Sequence, residues 1–331
     1  MELVDVWFVL IAVLWTGYLC LEGFDFGVGM LLPAVARDEH DRKVALGTIG
    51  PVWDGNEVWL LVAGGATFAA FPEWYASLFS GFYLAFLLLL VALILRGIAL
   101  EYRSKEPRWA PTLDKFLVGS SLTAALLVGV ALSNIVHGVP LDADHEFTGT
   151  LLTLLNPYAL LGGVTTVLVF ALHGAVFLAL KTDGPVRERS AAVGVTAGLL
   201  AVPAGGAFLV WTLLDGGPLW AILPVGVAAV GLVLATALVA RGREGWSFVA
   251  TTVAIVAVAV TLFGSLYPDV LPSTIDPAYS LNVVNAASTP YTLTIMTWVA
   301  AIFTPIVLGY QAWTFWVFRK RLTRQDYGAS A

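Results

Sequence analysis

Charge is scarce in this sequence. Asp, Glu, Lys and Arg make up 12% of its 331 residues, against about 25% in an average soluble domain. With 59% hydrophobic residues, such a composition excludes a soluble globule, a disordered tail and a nucleic-acid binder. Cysteine is nearly absent, and the lone Cys20 excludes an intrachain disulfide and any cysteine-based metal site. No phosphate-binding loop is present: the Gly-Gly pairs at 64–65, 162–163 and 205–206 lie within apolar runs and read as packing. The opening Met1-Glu2-Leu3-Val4-Asp5 is acidic where a secretory signal is basic. The net charge of −6 says little, because membrane orientation follows lysine and arginine placement.

What remains is a chain with lipid as its solvent. A bilayer core about 30 Å thick takes about 20 apolar residues per helix. Nine apolar stretches are present, at roughly 6–35, 45–71, 75–100, 116–138, 156–180, 190–214, 218–240, 246–267 and 291–318. Each is too long for a membrane strand and lacks strict alternation, so all nine are expected to be helices.

The basic residues support that count. Arg37, Arg42 and Lys43 follow the first span; Arg96, Arg103, Lys105, Arg108 and Lys115 follow the third. Lys181, Arg187 and Arg189 follow the fifth, Arg241 and Arg243 the seventh, and Arg319, Lys320, Arg321 and Arg324 the ninth. These are all 17 lysines and arginines, and they occupy only alternate loops. The positive-inside rule then puts the N-terminus outside and the C-terminus in the cytoplasm. The outward loops 139–155 and 268–290 are acidic or neutral, and the second, punctuated by prolines, is expected to be ordered against a partner. The expected fold is an all-α integral membrane protein of nine transmembrane helices: two four-helix bundles plus one peripheral helix. Residues 1–331 form a single polytopic domain, with the intramembrane acids in helices 1–4 (about 6–138) and a scaffold in helices 5–9 (about 156–318).

Carboxylates inside a membrane are costly and are functional candidates by default. Glu22 and Asp25 lie in the first span, Asp54 and Glu57 in the second, each pair three residues apart on one helix face. The first span ends near Ala36, eleven residues beyond Asp25, and the second starts near Val44, ten residues before Asp54, so both acids are expected roughly 15 Å from the cytoplasmic end, where they meet at similar depth. Gly23 and Gly27 form a small-xxx-small pair on the face away from Asp25, where another helix can approach closely. Acids so placed can carry protons reversibly. Glu101 and Lys105, four apart where the third span emerges beside Arg96, would form the mouth of a supply line. The blander alternatives are a structural bridge from a buried acid to Arg96, and a solvated i,i+4 pair for Glu101 and Lys105.

Of the four histidines, His40 and His145 sit in loops, His137 at an outer helix end and only His173 mid-helix. None pairs at matched depth as a bis-histidine haem requires, so hydrogen-bonded structural roles are expected. The tryptophans mostly flank spans, as belts do. Trp53 and Trp59 stand beside the acids, as core packing or as the edge of a quinone or haem site.

Glu22-Gly23-Phe24-Asp25-Phe26-Gly27-Val28-Gly29 resembles the first-helix signature of subunit II of cytochrome bd-type quinol oxidases. Pro51-Val52-Trp53-Asp54-Gly55-Asn56-Glu57-Val58-Trp59-Leu60 resembles the second-helix signature, and Glu101-Tyr102-Arg103-Ser104-Lys105 the end of the third. Leu155-Asn156-Pro157, Pro272-Ser273-Thr274 and Met296-Thr297-Trp298 are similar to later landmarks, so the resemblance covers nearly the whole chain.

That resemblance implies a non-haem subunit of a bacterial-type cell-membrane complex that oxidises quinol and reduces oxygen to water. Haems b and d belong to subunit I, the obligate partner, and this chain ligates none and is not catalytic alone. Membrane lipid, quinone and an optional small single-span accessory subunit complete the expected partners, with no nucleic acid. The family's proton path carries over onto Asp54, with its entrance at Glu101 and Lys105. Asp25 joins the path as an intramembrane acid, and Glu22, Glu57 and Trp53 are supporting residues. Some members have aspartate at the position of Glu101, and some hold a quinone in subunit II. The alternative from a different class is a proton-coupled secondary transporter, which also uses intramembrane acids but is expected to show inverted repeats and broken helices.

Overall fold

The computed structural model describes residues 2–328, and the chain is overwhelmingly helical. The helices are α1 (Leu3–Val35), α2 (Glu39–Gly47), α3 (Trp53–Ala70), α4 (Pro72–Gly81), α5 (Tyr83–Tyr102), α6 (Ala110–His137), α7 (Pro157–Lys181), α8 (Pro185–Leu214), α9 (Ile222–Ala240), α10 (Glu244–Leu266) and α11 (Pro290–Val317). Among the described residues, eight helices are long and apolar enough to cross a membrane: α1 and α5 to α11.

The stretch expected to form a second continuous span is divided. Pro51 lacks an N–H and disfavours helical backbone at Gly50, so α2 ends at Gly47 and α3 begins afresh at Trp53. The stretch expected as the third span starts late. Pro72 opens the separate short helix α4, and the chain bends at Phe82 before α5. Phe147 packs on that corner so closely that a Cβ on Gly81 would meet its Cβ at 2.6 Å and its ring at 2.8 Å.

α1 is the central element, touching α3, α6, α7 and α10, while α5 packs on α6 and α7 to α10 pack on one another. The close approach foreseen at Gly23 and Gly27 is made by α7. A Cβ on Gly23 would meet Phe170 at 2.7 Å, and one on Gly27 would meet Gly174 Cα at 2.7 Å. Residue numbers rise together along this contact, so α1 and α7 run parallel. α11 also runs parallel to α1: Trp7 Nε1 donates to the Leu293 carbonyl, and Phe24 meets Phe315 17 residues further on. α11 otherwise stands at the edge, with Trp298, Ile302, Phe303, Ile306 and Trp313 exposed.

The loops sort onto two opposite ends. At one end Arg103 forks onto Glu39 at 2.9 and 2.8 Å and reaches Asp114 at 2.5 Å, while Arg42 meets Asp114 at 3.3 Å. Arg187 pairs with Glu244 at 2.8 Å. Asp41, fully buried, accepts from Arg189 at 2.5 Å and from Arg324 Nε at 2.9 Å, which ties the C-terminal tail to α2 and α8. At the other end, Tyr267 donates to Asp5, His137 meets Asp215 at 2.6 Å and the Ser288 amide donates to the Ala70 carbonyl. The long loop at that end is ordered against this chain itself. Its strands β1 (Asp269–Leu271) and β2 (Leu281–Asn282) pair antiparallel, Ser273 bridges to Val139, and the Tyr279 carbonyl meets His145 Nδ1 at 2.9 Å.

Asp41 makes the basic end acid-labile. Burial opposes its charge, but hydrogen bonds from Arg324, the Arg37 amide and Arg189 outweigh burial and hold its carboxyl below the usual range. A depressed folded-state value means that this stabilisation is fully present above the unfolded value near 3.9 and is lost as pH falls through the lower folded value. Asp41→Asn is expected to cost about 2 kcal/mol at neutral pH, because two guanidinium partners lose their anion. Denaturant midpoints recorded at pH 7 and pH 3.5 check this, with a smaller gap between wild type and variant at the lower pH.

Candidate functional site

The intramembrane acids of α1 face a single buried cation. Glu22 and Asp25 are fully buried on one face of α1, and Arg96, also fully buried, reaches Glu22 from α5. Arg96 Nη1 lies 2.6 Å from Glu22 Oε1 and 3.8 Å from Glu57 Oε2. The 2.6 Å contact is an ion pair without good hydrogen-bond angles, since neither partner gains a satisfied hydrogen bond from it. The guanidinium sits 4.9 Å from the centre of the Phe26 ring and 5.9 Å from that of Trp53. Arg96 therefore lies inside the protein, not at the mouth where its place near the end of the third span suggested.

Asp25 is held from α3. Asn56 Nδ2 donates to Asp25 Oδ2 at 2.7 Å, and Gln311 Nε2 of α11 donates to Asn56 Oδ1 at 2.9 Å. This amide chain ties the edge helix to the central acid. Asn56 and Gln311 were not singled out from sequence. Gln311 did have a signal, as an uncharged polar residue in the middle of an apolar run.

Asp54 differs from expectation. Because α3 starts at Trp53, Asp54 lies in the first helical turn and not ten residues along a continuous helix. Its side chain is exposed on the surface of the chain and accepts from the Gly55 amide at 2.8 Å; the partner of Asp25 is Asn56. A carboxylate in the first turn is favoured by the unpaired amides there. Val58 and Leu61, on the same face of α3, are 48% and 71% exposed. The face is thus apolar with one acid at its end.

Glu101 and Lys105 form the expected pair at 2.9 Å and stay exposed at the end of α5. The hydrogen bond from Lys105 to Glu101, and the charge of that carboxylate, hold the ammonium above its usual range. Glu101 lies five residues beyond Arg96 on the same helix, about 7.5 Å of rise. The structure thus brings together Glu22, Asp25, Glu57 and Trp53 around Arg96, with Asp54 at the rim and Glu101 and Lys105 at the nearer helix end.

The histidines are engaged elsewhere. His173 is buried with Nδ1 2.6 Å from Thr251 Oγ1 and Nε2 3.0 Å from the Cys20 carbonyl oxygen, so both ring nitrogens have partners. His137 and His145 are hydrogen-bonded at the other end, and His40 is exposed on α2. This set does not fit an axially held haem. Among the described residues there is no group of three or more His, Cys, Asp or Glu arranged to hold a metal.

Comparison with known proteins covers nearly the full length. Residues 3–318 match the family model for cytochrome bd terminal oxidase subunit II. The chain is 37% identical over 330 residues to cytochrome bd ubiquinol oxidase subunit 2 of Bacillus subtilis, spanning 97% of each protein. It is 35% identical over 364 residues to cytochrome bd-I ubiquinol oxidase subunit 2 of Escherichia coli K12, spanning 97% of this chain and 95% of that one. Its fold superposes on a chain of the bd oxidase structure from Geobacillus thermodenitrificans with a TM-score of 0.79 at 18% identity, covering 97% of this chain and 100% of the other.

The cluster makes a specific stability forecast. Arg96→Gln leaves buried acids without their cation and is expected to cost about 3–5 kcal/mol. Glu22→Gln combined with Arg96→Gln should be less destabilising than the two single costs summed, by about 1–3 kcal/mol. A double-mutant cycle on denaturant midpoints measures this, and simple additivity would contradict the pairing.

Proposed function

Because the chain belongs to the cytochrome bd terminal oxidase subunit II family, we propose that it is the non-haem subunit of a quinol:oxygen oxidoreductase in a bacterial-type cell membrane. In this role it supports a haem-bearing subunit I as an obligate partner and conducts protons from the cytoplasm towards the oxygen-reducing site. Haems b and d, when bound in that partner, supply the electron transfer and oxygen chemistry. The residues of this chain handle protons and hold the subunit together. The relatives do not favour a proton-coupled transporter.

The observation that carries the proposal is the position of Asp54. An ionised carboxylate beside Val58 and Leu61 on an outer helix face is costly against lipid. A protein partner with polar groups at that point removes the cost, so this face of α3 suits the subunit I interface. Behind it lies the store. Glu22, Asp25 and Glu57 surround one guanidinium, and a neutral cluster of three carboxyls and one cation holds two protons. Glu101 and Lys105 meet water at the helix end, and Asp54 faces outward to the partner. Protons would enter beside Glu101 and Lys105, pass by way of the Arg96 cluster and Asp25, and leave past Asp54.

Nine crossings with the N-terminus outside fit the same picture. α3, α5 and α6 stand between α1 and α7 in sequence. The parallel run of α1 and α7 calls for an odd number of crossings between them, which supports a crossing by α3 beside α5 and α6 despite its polar start. The loops rich in arginine then share the cytoplasmic end. Reporter fusions at Asp144 and Asp276 should read outside, and fusions at Arg187 and Arg321 cytoplasm; one reversed loop would break the topology.

Asp54→Asn keeps size and hydrogen-bonding shape but carries no exchangeable proton in the working range. The purified complex should retain its haems and lose about 90% or more of quinol-dependent oxygen consumption per haem, the loss expected when a positioned proton-transfer group is removed. Glu101→Gln should be milder, because water enters beside a group at the mouth. Normal turnover per haem in Asp54→Asn would refute the path. Loss of haem in step with activity would make Asp54 a structural strut instead.

A further inference from the structure

A second polar feature lies away from the acid cluster. Between α1, α7, α10 and α11, at the end that carries the basic loops, is a cleft of about 470 Å³. Its walls are aromatic: Phe24 and Phe177 stack with ring centres 4.1 Å apart, and Phe248 packs against both at 6.1 and 5.9 Å. Thr252 also lines it, eight residues into α10 from Glu244, or about 12 Å of helix rise. The cleft is therefore apolar within and runs along the helices.

Its rim is cationic. Lys181 ends α7, and Arg319 and Arg321 follow α11 in the chain. Lys181 Nζ donates to the Phe318 carbonyl, and Arg319 Nη1 donates to the Trp316 carbonyl at 2.6 Å while its guanidinium lies over the Trp316 ring at 4.5 Å. Neutral carbonyls and a ring position these cations but leave their charge uncancelled. Glu244 lies 3.8 Å from Arg321 and is already bound to Arg187 at 2.8 Å. Of the three cations at the mouth of this apolar cleft, Arg321 thus shares a carboxylate with Arg187, while Lys181 and Arg319 rest on neutral carbonyls.

We propose that this cleft is a binding site for an anionic phospholipid, with the phosphodiester at the rim formed by Lys181, Arg319 and Arg321 and an acyl chain between the phenylalanines. The charge matches the headgroup, and arginine pairs with phosphate oxygens through two parallel donors. Basic pockets between membrane helices on the cytoplasmic side are suited to such headgroups. A neutral quinone would make no use of the three cations, and free phosphate none of the aromatic walls. The bound lipid would tie α11, which otherwise stands at the edge, to α1, α7 and α10.

The test uses the complex extracted from its membrane, stripped of loose lipid and re-supplied with phosphatidylglycerol or phosphatidylcholine. Bound lipid is counted by native mass spectrometry and haem content checks assembly. Phosphatidylglycerol should be retained and phosphatidylcholine not. Lys181→Gln with Arg319→Gln should weaken retention on the order of 25-fold, taking about 1 kcal/mol per surface cation. Arg319→Lys should keep it. Thr252→Phe, which fills the cleft and leaves the rim intact, should also lose the lipid. Equal retention of both lipids, full retention after Lys181→Gln with Arg319→Gln, or loss of phosphatidylglycerol to millimolar inorganic phosphate would overturn the proposal. Full retention in Thr252→Phe would overturn it too, by reducing the rim to a diffuse surface charge. A quinone found in the cleft, unaffected by the charge changes, would likewise contradict it.

Discussion

One guanidinium governs the interior of this subunit. Arg96 is fully buried on α5, and Glu22, Asp25 and Glu57 gather round it from α1 and α3. Burying an isolated charge in a membrane protein is prohibitive, so each acid needs this cation or a proton. The requirement fixes three helices against one another at one depth. It also leaves fewer positive charges than carboxyls, which is the condition for holding exchangeable protons in an apolar surrounding. The Asn56 and Gln311 amides extend the same network to α11, the helix with the least other packing.

The rest of the molecule serves that arrangement. α1 carries two of the acids on one side and, on the other, glycines that let α7 approach to backbone contact. A bulkier residue at Gly27 would push α7 away and shift α1 relative to Arg96. At the basic end, Asp41 gathers Arg189 and Arg324 and so anchors α2 just before the turn that starts α3. That turn sets where Asp54 stands. Electrostatics at the protein end and packing at the helix crossing thus both bear on a single exposed carboxylate.

Much of this was legible in sequence because membranes impose strong rules. Helix length, the sorting of lysine and arginine into alternate loops, and the cost of intramembrane acids are readable residue by residue. Glu22, Asp25 and Glu57 stood out on that cost, and Gly23 and Gly27 on their spacing. The misplacements have physical causes. Gly50-Pro51 breaks the helix, but apolar content on both sides hid the break, and Asp54 moved from an interior to an end position. Arg96 counted as a loop residue because hydropathy cannot tell a helix end from a helix interior with a buried counter-ion. Asn56 and Gln311 carry no charge, so nothing about them demanded a partner until α3 and α11 were seen side by side.

The central claim is that protons cross this subunit through Asp54. The most direct measurement is proton uptake from the cytoplasmic side during a single turnover, followed with a pH-sensitive dye outside inverted membrane vesicles. The account predicts that Asp54→Asn slows uptake by about tenfold or more, as expected when a positioned proton-transfer group is removed, while the initial reduction of the complex by quinol keeps its wild-type rate. Proton uptake as fast as wild type in Asp54→Asn would contradict it.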